Sequence, residues 1–252
     1  YLILQSFRGE PGAYTTYLIP KQLTFDNYVK LFTDRSLFNF PLWYINTLIT
    51  AIVVCVVQTV IVLATSFALS RLRFKGRKGL MNLMLVLGMF PGFMSMTAIY
   101  FVLKEVGLTQ SLVGLIIVYV ASSALQYYIC KGFFDTIPKS LDEAAKIDGA
   151  SVHTIFFKVI LPLSKPIIVY TMLVAFLMPW GEYMFSSLFM LGDQTKFNVA
   201  NGLRQMLQRE NIAEYFTRFC AGAVVVSAPV AAFFIWLQKY YVEGVTGGAV
   251  KG

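Results

Sequence analysis

The sequence predicts an all-α fold, a polytopic bundle of membrane-crossing helices. Three observations carry this. The first is composition: 57% of the 252 residues are hydrophobic and 13% are charged, against about a quarter charged in soluble domains. The second is spacing. No Asp, Glu, Lys or Arg occurs in residues 36–70, 79–103, 106–130 or 219–238, and only Glu182 interrupts residues 166–192. A helix needs about 20 residues to cross roughly 30 Å of hydrocarbon, and an open sheet edge there would leave backbone groups unsatisfied. The third is placement. Arg71, Arg73, Lys75, Arg77 and Lys78 share one short loop without an acid, which the positive-inside rule makes cytoplasmic. Alternation then puts residues 8–40, 104–111 and 193–216 outside. Residues 131–165 and the tail from Lys239 fall inside. The net charge of +8 is thus a topology signal, and no nucleic-acid partner is expected.

Taken in order, Tyr1-Leu2-Ile3-Leu4 lacks the basic start of a signal peptide and reads as the outer end of a helix, which would make six spans in all. Residues 8–40 combine turn formers (Pro11, Gly12, Pro20) with Tyr14, Tyr17, Phe25 and Tyr28, an outer loop near the membrane interface. The span over residues 41–70 opens with Pro41, a favoured start. Its Asn46, Thr47, Gln58 and Thr59 must face protein or water. The span over 80–103 contains Pro91, which should kink it. A turn at 107–111 leads to the span that ends near Cys130. The fifth span covers 166–192. The outer loop 193–216 contains an amphipathic helix over 199–209, with Val199, Leu203, Met206 and Leu207 on one face. The sixth span, 217–240, ends in a Gly-rich tail at 241–252. Cys55, Cys130 and Cys220 have no paired spacing and read as small buried residues; no metal site or catalytic set is expected.

Residues 138–162 form a charged cytoplasmic island. Ser140 with Glu143 has the spacing of a capping box, Gly149 can take the left-handed turn that ends a helix, Ser151 can cap a second helix, and Pro162 closes it. Ala144, Ala145 and Asp148 leave one side low enough for another surface to approach. This elbow is either a docking device or a connector between spans.

Its residues resemble a known signature. Glu143-Ala144-Ala145, Gly149 and Leu161-Pro162 match the loop by which the membrane permeases of ABC importers dock on a separate ATPase. The family often has Ile where this chain has Val159. The resemblance covers nearly the whole chain. Trp43-Tyr44-Ile45-Asn46-Thr47-Leu48 is similar to the second span of carbohydrate permeases, and Phe176 with Trp180-Gly181-Glu182-Tyr183 to their fifth. The end, from Gly244 to Gly252, resembles the tail of the smaller maltose/maltodextrin permease, which reaches the ATPase dimer interface.

The resemblance implies a type I ABC importer permease working by alternating access in a bacterial or archaeal cell membrane. The implied partners are a second permease, an ATPase dimer holding ATP and Mg, and an extracellular solute-binding protein. The implied substrate is a malto-oligosaccharide, with another oligosaccharide, a polyol or a glycerophosphodiester as alternatives. It casts Glu143, Ala144, Ala145, Asp148, Gly149, Leu161 and Pro162 as ATPase-docking residues. Asn46, Trp180, Glu182 and Tyr183 become substrate-path candidates, and Asn201, Arg204, Gln205 and Gln208 binding-protein contacts. Glu182 is open to two readings, a sugar-hydroxyl acceptor or a structural hydrogen bond. The chain has no G-x-x-x-x-G-K-[ST] phosphate loop, so ATP hydrolysis is expected on a separate chain. A secondary transporter or channel would share the spans but need no elbow.

Overall fold

The computed structural model describes residues 1–249 apart from 14, 16 and 191, with side chains as far as Gln238. Tyr14 and the last three residues of the tail lie outside the described residues. Helices dominate. Among the described residues the sole β-type pairing is an isolated bridge between Arg8 and Leu23. Two helices are each long and apolar enough to cross a membrane, Phe40–Arg71 and Ile212–Gln238. Three bent pairs bring the number to five if each pair is one span.

The bends correct the expectation of simple spans, and each has a local cause. The third span is two helices, α4 (Arg77–Met89) and α5 (Gly92–Glu105), at 104°, numbering α1 as Leu2–Ser6, α2 as Asp26–Thr33 and α3 as Phe40–Arg71. Pro91 pushes the residue before it out of the helical region, and Phe90 is extended at φ −70°, ψ 130°. The expected kink is therefore a break. The fourth span is α6 (Leu112–Ala121) and α7 (Ala124–Thr136), bent by 44°. There Ser122 Oγ donates to Val118 O at 2.8 Å and Ser123 Oγ to Val120 O at 2.6 Å, back-bonding of the kind that bends helices.

The elbow is α8 (Lys139–Ile147), then Val152–Leu163, made of α9 (Val152–Ile155), a π-helical turn and α10 (Leu161–Leu163), which joins α11 (Lys165–Gly181) at 84°. Two details differ from expectation. Ser140 is not the cap of α8: that position belongs to Pro138, and no side chain caps the helix. Ile137, extended before Pro138, moves the helix start two residues earlier than a Ser140 cap requires. Pro162 does not close the second helix, which continues to Leu163. Its missing N–H instead leaves the preceding turn to widen into a π-helix at Phe156–Ile160. The break comes at Ser164, whose Oγ donates to Ile160 O at 2.6 Å.

The fifth span is also shorter than 166–192. Continuous helix ends at Gly181, and α12 (Met184–Met190) follows. Pro179 lies inside the last turn of α11. After it come α13 (Val199–Met206) and α14 (Ile212–Ala249).

The chain divides into two compact units. The first comprises Tyr1–Ile52, Phe93–Ile116 and Leu177–Phe233; the second Val53–Gly92, Ile117–Phe176 and Phe234–Gly252. Every loop that charge assigns to the outside belongs to the first unit, and the elbow and the Arg71–Lys78 loop belong to the second.

The first unit is built around rings and close backbone. Trp43 is fully buried, and α13 lies so near it that a Cβ on Gly202 would fall within the indole. Arg8, also fully buried, donates from Nη2 to Gly12 O and stacks 5.7 Å from the centre of the Phe216 ring. Asn27 holds that segment by donating to Ser6 O at 3.0 Å and Arg8 O at 2.8 Å, and it accepts from Thr217 Oγ1 at 2.9 Å. The apolar face of α13 is packed on protein: Val199, Leu203 and Met206 are buried.

The second unit centres on Val62, Leu63 and Phe67 of α3 with Cys130, Phe134, Ile137, Ile155, Ile160 and Ile167. Gln58, buried in α3, donates to Ser123 Oγ and Gln126 Oε1, both at 2.9 Å, which ties the α6–α7 break to this helix.

Gly202→Ala should destabilise the protein by about 1–3 kcal/mol, the range for overpacking. Thermal unfolding in detergent measures it. A companion Trp43→Leu change, which makes room, should recover part of the loss.

Candidate functional site

The residues singled out from sequence fall into two clusters, one in each unit. The elbow cluster is assembled by α8, the turn after it and the following helix. Asp148 is the C-cap of α8 and Gly149 follows in the left-handed region at φ +81°. Its N–H donates to Lys146 O at 3.0 Å, and that of Ala150 to Ala145 O at 2.9 Å, closing the helix as a glycine C′ residue does. Ser151 caps the next helix as expected, its Oγ accepting from Thr154 N at 3.2 Å.

Exposure divides this cluster. Glu143, Ala144, Asp148, Gly149 and Pro162 are exposed, whereas Ala145 and Leu161 are half-buried against the core of the second unit. The exposed set places a carboxylate beside a small side chain and a bare turn, a low surface onto which a groove can close. Beside Glu143, Asp142 turns the other way and is buried. Its Oδ2 lies 2.9 Å from Arg71 Nε, with both side chains at most 10% exposed. Arg71 also donates from Nη2 to Ile137 O at 2.8 Å, and Ser70 Oγ donates to Asp135 Oδ1 at 2.6 Å. Sequence reasoning missed Arg71 and Asp142 as partners. The available signal was that Arg71 is the first charge after residues 36–70, next to a docking helix bearing two adjacent acids.

The second cluster gathers three of the four substrate-path candidates, and it is a clasp. Asn46 is buried, and its Nδ2 donates to Thr195 O at 3.0 Å and Phe197 O at 3.1 Å. Trp43 Nε1 donates to Gln194 O at 2.8 Å, and Thr47 Oγ1 accepts from Val199 N at 2.7 Å. Three side chains one helical turn or less apart on α3 thus hold residues 194–199.

Glu182 stands at the break between α11 and α12 and caps α12. Its Oε1 accepts from Phe185 N at 2.7 Å and its Oε2 from Ser186 N at 3.0 Å. Asn198 Nδ2 donates to Glu182 O at 2.7 Å and to Ser186 Oγ at 3.1 Å, while Asn198 Oδ1 caps α13 by accepting from Asn201 N at 2.9 Å. Of the two readings of Glu182, this geometry is that of the structural hydrogen bond. Trp180 is buried with its ring 5.5 Å from Tyr44, edge to face. Tyr183 is exposed. Ser186 and Asn198 were missed, although an Asn one residue before an apolar run is a cap signal.

Among the binding-protein candidates, Asn201 is corrected. It is 2% exposed and donates from Nδ2 to Ser186 Oγ at 2.8 Å, because the cap on Asn198 turns the first residues of α13 inward. Arg204 and Gln208 are exposed and Gln205 is half-buried. Ahead of α13, Asp193 caps a short turn. The Thr195 hydroxyl holds its carboxyl below the ordinary value, helped by the Thr195 amide and Lys196. No group of three or more His, Cys, Asp or Glu suited to a metal occurs among the described residues.

The chain is similar to known proteins in sequence and in fold. The family model described as binding-protein-dependent transport system inner membrane component matches residues 60–247. The galactooligosaccharides transport system permease protein of Bacillus subtilis (strain 168) is 38% identical over 98% of this chain and 87% of its own length. The maltodextrin transport system permease protein of Streptococcus pneumoniae (strain ATCC BAA-255 / R6) is 36% identical over 91% of this chain and 81% of its own. A solved bacterial ABC transporter chain, described as involved in the import of the acidic polysaccharide alginate, shares the fold. Its TM-score is 0.79, with 23% identity, 96% of this chain covered and 89% of that one.

Glu182→Ala should lower stability by about 0.5–2 kcal/mol, as loss of a helix cap does, and Glu182→Gln by less because one amide oxygen still accepts. Thermal unfolding of both variants in detergent decides this. An unchanged melting point for the Ala variant would remove the cap from the account.

Proposed function

Because the chain belongs to the family of binding-protein-dependent transport system inner membrane components, and is thus a permease component of an ABC importer in a bacterial membrane, we propose that it couples ATP hydrolysis on a separate ATPase dimer to the passage of a neutral oligosaccharide. The observation that carries this reading is the elbow: a glycine turn at φ +81° between two helices, with Glu143 exposed on the first. A carboxylate on a low, rigid helix suits a basic groove, because charge-assisted hydrogen bonds are directional as well as strong. Ala144, Asp148, Gly149 and Pro162 line the approach, and Ala145 and Leu161 anchor the elbow to its own core.

A second permease completes the pathway, several spans crossing the membrane in each. ATP and Mg bind on the ATPase chains, and an external solute-binding protein delivers the sugar. The arrangement of loops supports the expected sidedness, since those assigned outside by charge share one compact unit. Arg204, Gln205 and Gln208 are the contacts proposed for the binding protein. Asn201 is not among them.

Maltodextrin is the proposed substrate, in keeping with the name of the pneumococcal relative. The name of the Bacillus relative makes a galacto-oligosaccharide the alternative. Tyr183 is the path candidate whose ring is open to a sugar face, whereas Asn46, Trp180 and Glu182 shape the wall behind it. The second permease then holds most of the sugar.

Reconstitution with the cognate partners in vesicles tests the reading. ATP-dependent uptake of labelled maltodextrin is expected, and uptake independent of ATP would reject the coupling. Glu143→Ala should reduce uptake and ATPase stimulation together. Gly149→Val should do the same, since left-handed backbone costs a residue with a side chain roughly 1–2 kcal/mol. Topology has its own check. In a cysteine-free chain, Lys75→Cys should be shielded and Gln208→Cys labelled by an impermeant reagent on sealed cells; the reverse pattern would overturn the orientation.

A further inference from the structure

We infer that Arg71 is the positioning residue through which movement of the docking helix reaches α3, with Asp142 as its counter-charge. This rests on the docking role proposed for the elbow. Adjacent residues on a helix are separated by about 100°, so Asp142 and Glu143 face different directions. Asp142 is 7% exposed and directed at Arg71, while Glu143 is exposed. One carboxylate faces outward and the other holds α8 from behind.

Arg71 is the last residue of α3, the 32-residue helix. With Ser70 it makes three ties that bracket the entry to α8. Ser70 Oγ donates to Asp135 before Pro138, Arg71 Nη2 to Ile137 O at the corner, and Arg71 Nε faces Asp142 beyond it. The helix after Gly149 also leans on α3, with Phe156 and Phe67 rings 4.7 Å apart. Apolar packing attaches the elbow but is non-directional and tolerates sliding along the helix. A buried ion pair does not, because parting two desolvated charges is strongly unfavourable.

The pair is also poorly made as a pure stabiliser. Arg71 Nε does not align a hydrogen bond to Asp142, and Arg71 Nη1 and Asp142 Oδ1 have no hydrogen-bond partner among the described residues. Incomplete satisfaction reduces what a buried pair contributes to stability, yet leaves its resistance to displacement. A cavity of about 450 Å³, bordered by Arg71, Arg73, Lys139, Asp142 and Lys146 with Glu143 at its edge, opens beside it, giving room for the two charges to be exchanged.

The test uses the complete transporter in vesicles and reads substrate moved per ATP hydrolysed, together with copurification of the ATPase. Arg71→Met and Asp142→Asn should each lower the ratio roughly fivefold or more, the usual lower range of coupling between sites, while the ATPase still copurifies. The reversed pair, Arg71→Asp with Asp142→Arg, should recover much of the ratio, and Arg71→Lys should fall between. A normal ratio in the single variants, or a reversed pair no better than either single one, would overturn the inference. Loss of copurification in the single variants that Arg71→Lys does not restore would also overturn it, making the pair part of assembly alone. Glu143→Ala separates the two readings: if it leaves ATPase stimulation intact, the docking role fails irrespective of the Arg71 result.

Discussion

Backbone N–H and C=O groups inside a membrane have no water to turn to, and this constraint organises the apolar part of the chain. Helix satisfies them wherever it runs unbroken, as in α3. At the breaks after α6, after Leu163 and after α11 a side chain takes over. Glu182 accepts from the first amides of α12, Ser122 and Ser123 bond back to the carbonyls of α6, and Ser164 bonds back across the 84° bend. Gln58 holds the α6–α7 break from the side. The polar residues scattered through the spans are therefore mostly joints, placed where proline or serine interrupts the helical ladder.

Buried backbone groups of irregular segments need partners outside the spans as well, which is why α3 is so heavily used. Near its start, Trp43, Asn46 and Thr47 satisfy the backbone of residues 194–199; at its end, Arg71 satisfies Ile137 O at the corner that leads into α8, and Ser70 holds the Asp135 carboxylate beside it. Each set substitutes side-chain groups for backbone partners that an irregular segment cannot supply. A loop or a turn close to the membrane becomes rigid in this way, and rigidity is what a surface needs if it is to transmit a push from a partner.

Function in such a chain comes from which polar groups are left over. Asn46, Glu182 and Asn201 are tied to neighbouring backbone or to Ser186. Glu143, Tyr183, Arg204 and Gln208 remain at the surface. The contrast is sharpest between Asp142 and Glu143, adjacent acids on one helix with opposite exposure.

Sequence by itself determined the helical membrane architecture, the basic loop, the elbow with its glycine turn and the Ser151 cap. These follow from composition and from short-range rules: runs without charge, proline and glycine at fixed places, a hydroxyl at an N-cap. It also marked the prolines at 91 and 162, though not the size or position of the resulting breaks. Tertiary structure alone decided that Asn201 and Asn46 are buried, that Glu182 caps a helix, and that Arg71 meets Asp142. The physical reason is that a side chain's role depends on which unsatisfied group lies within about 3 Å. For Asn46 and Thr195, 149 residues apart in the chain, or Arg71 and Asp142 on separate helices, no local pattern encodes that proximity.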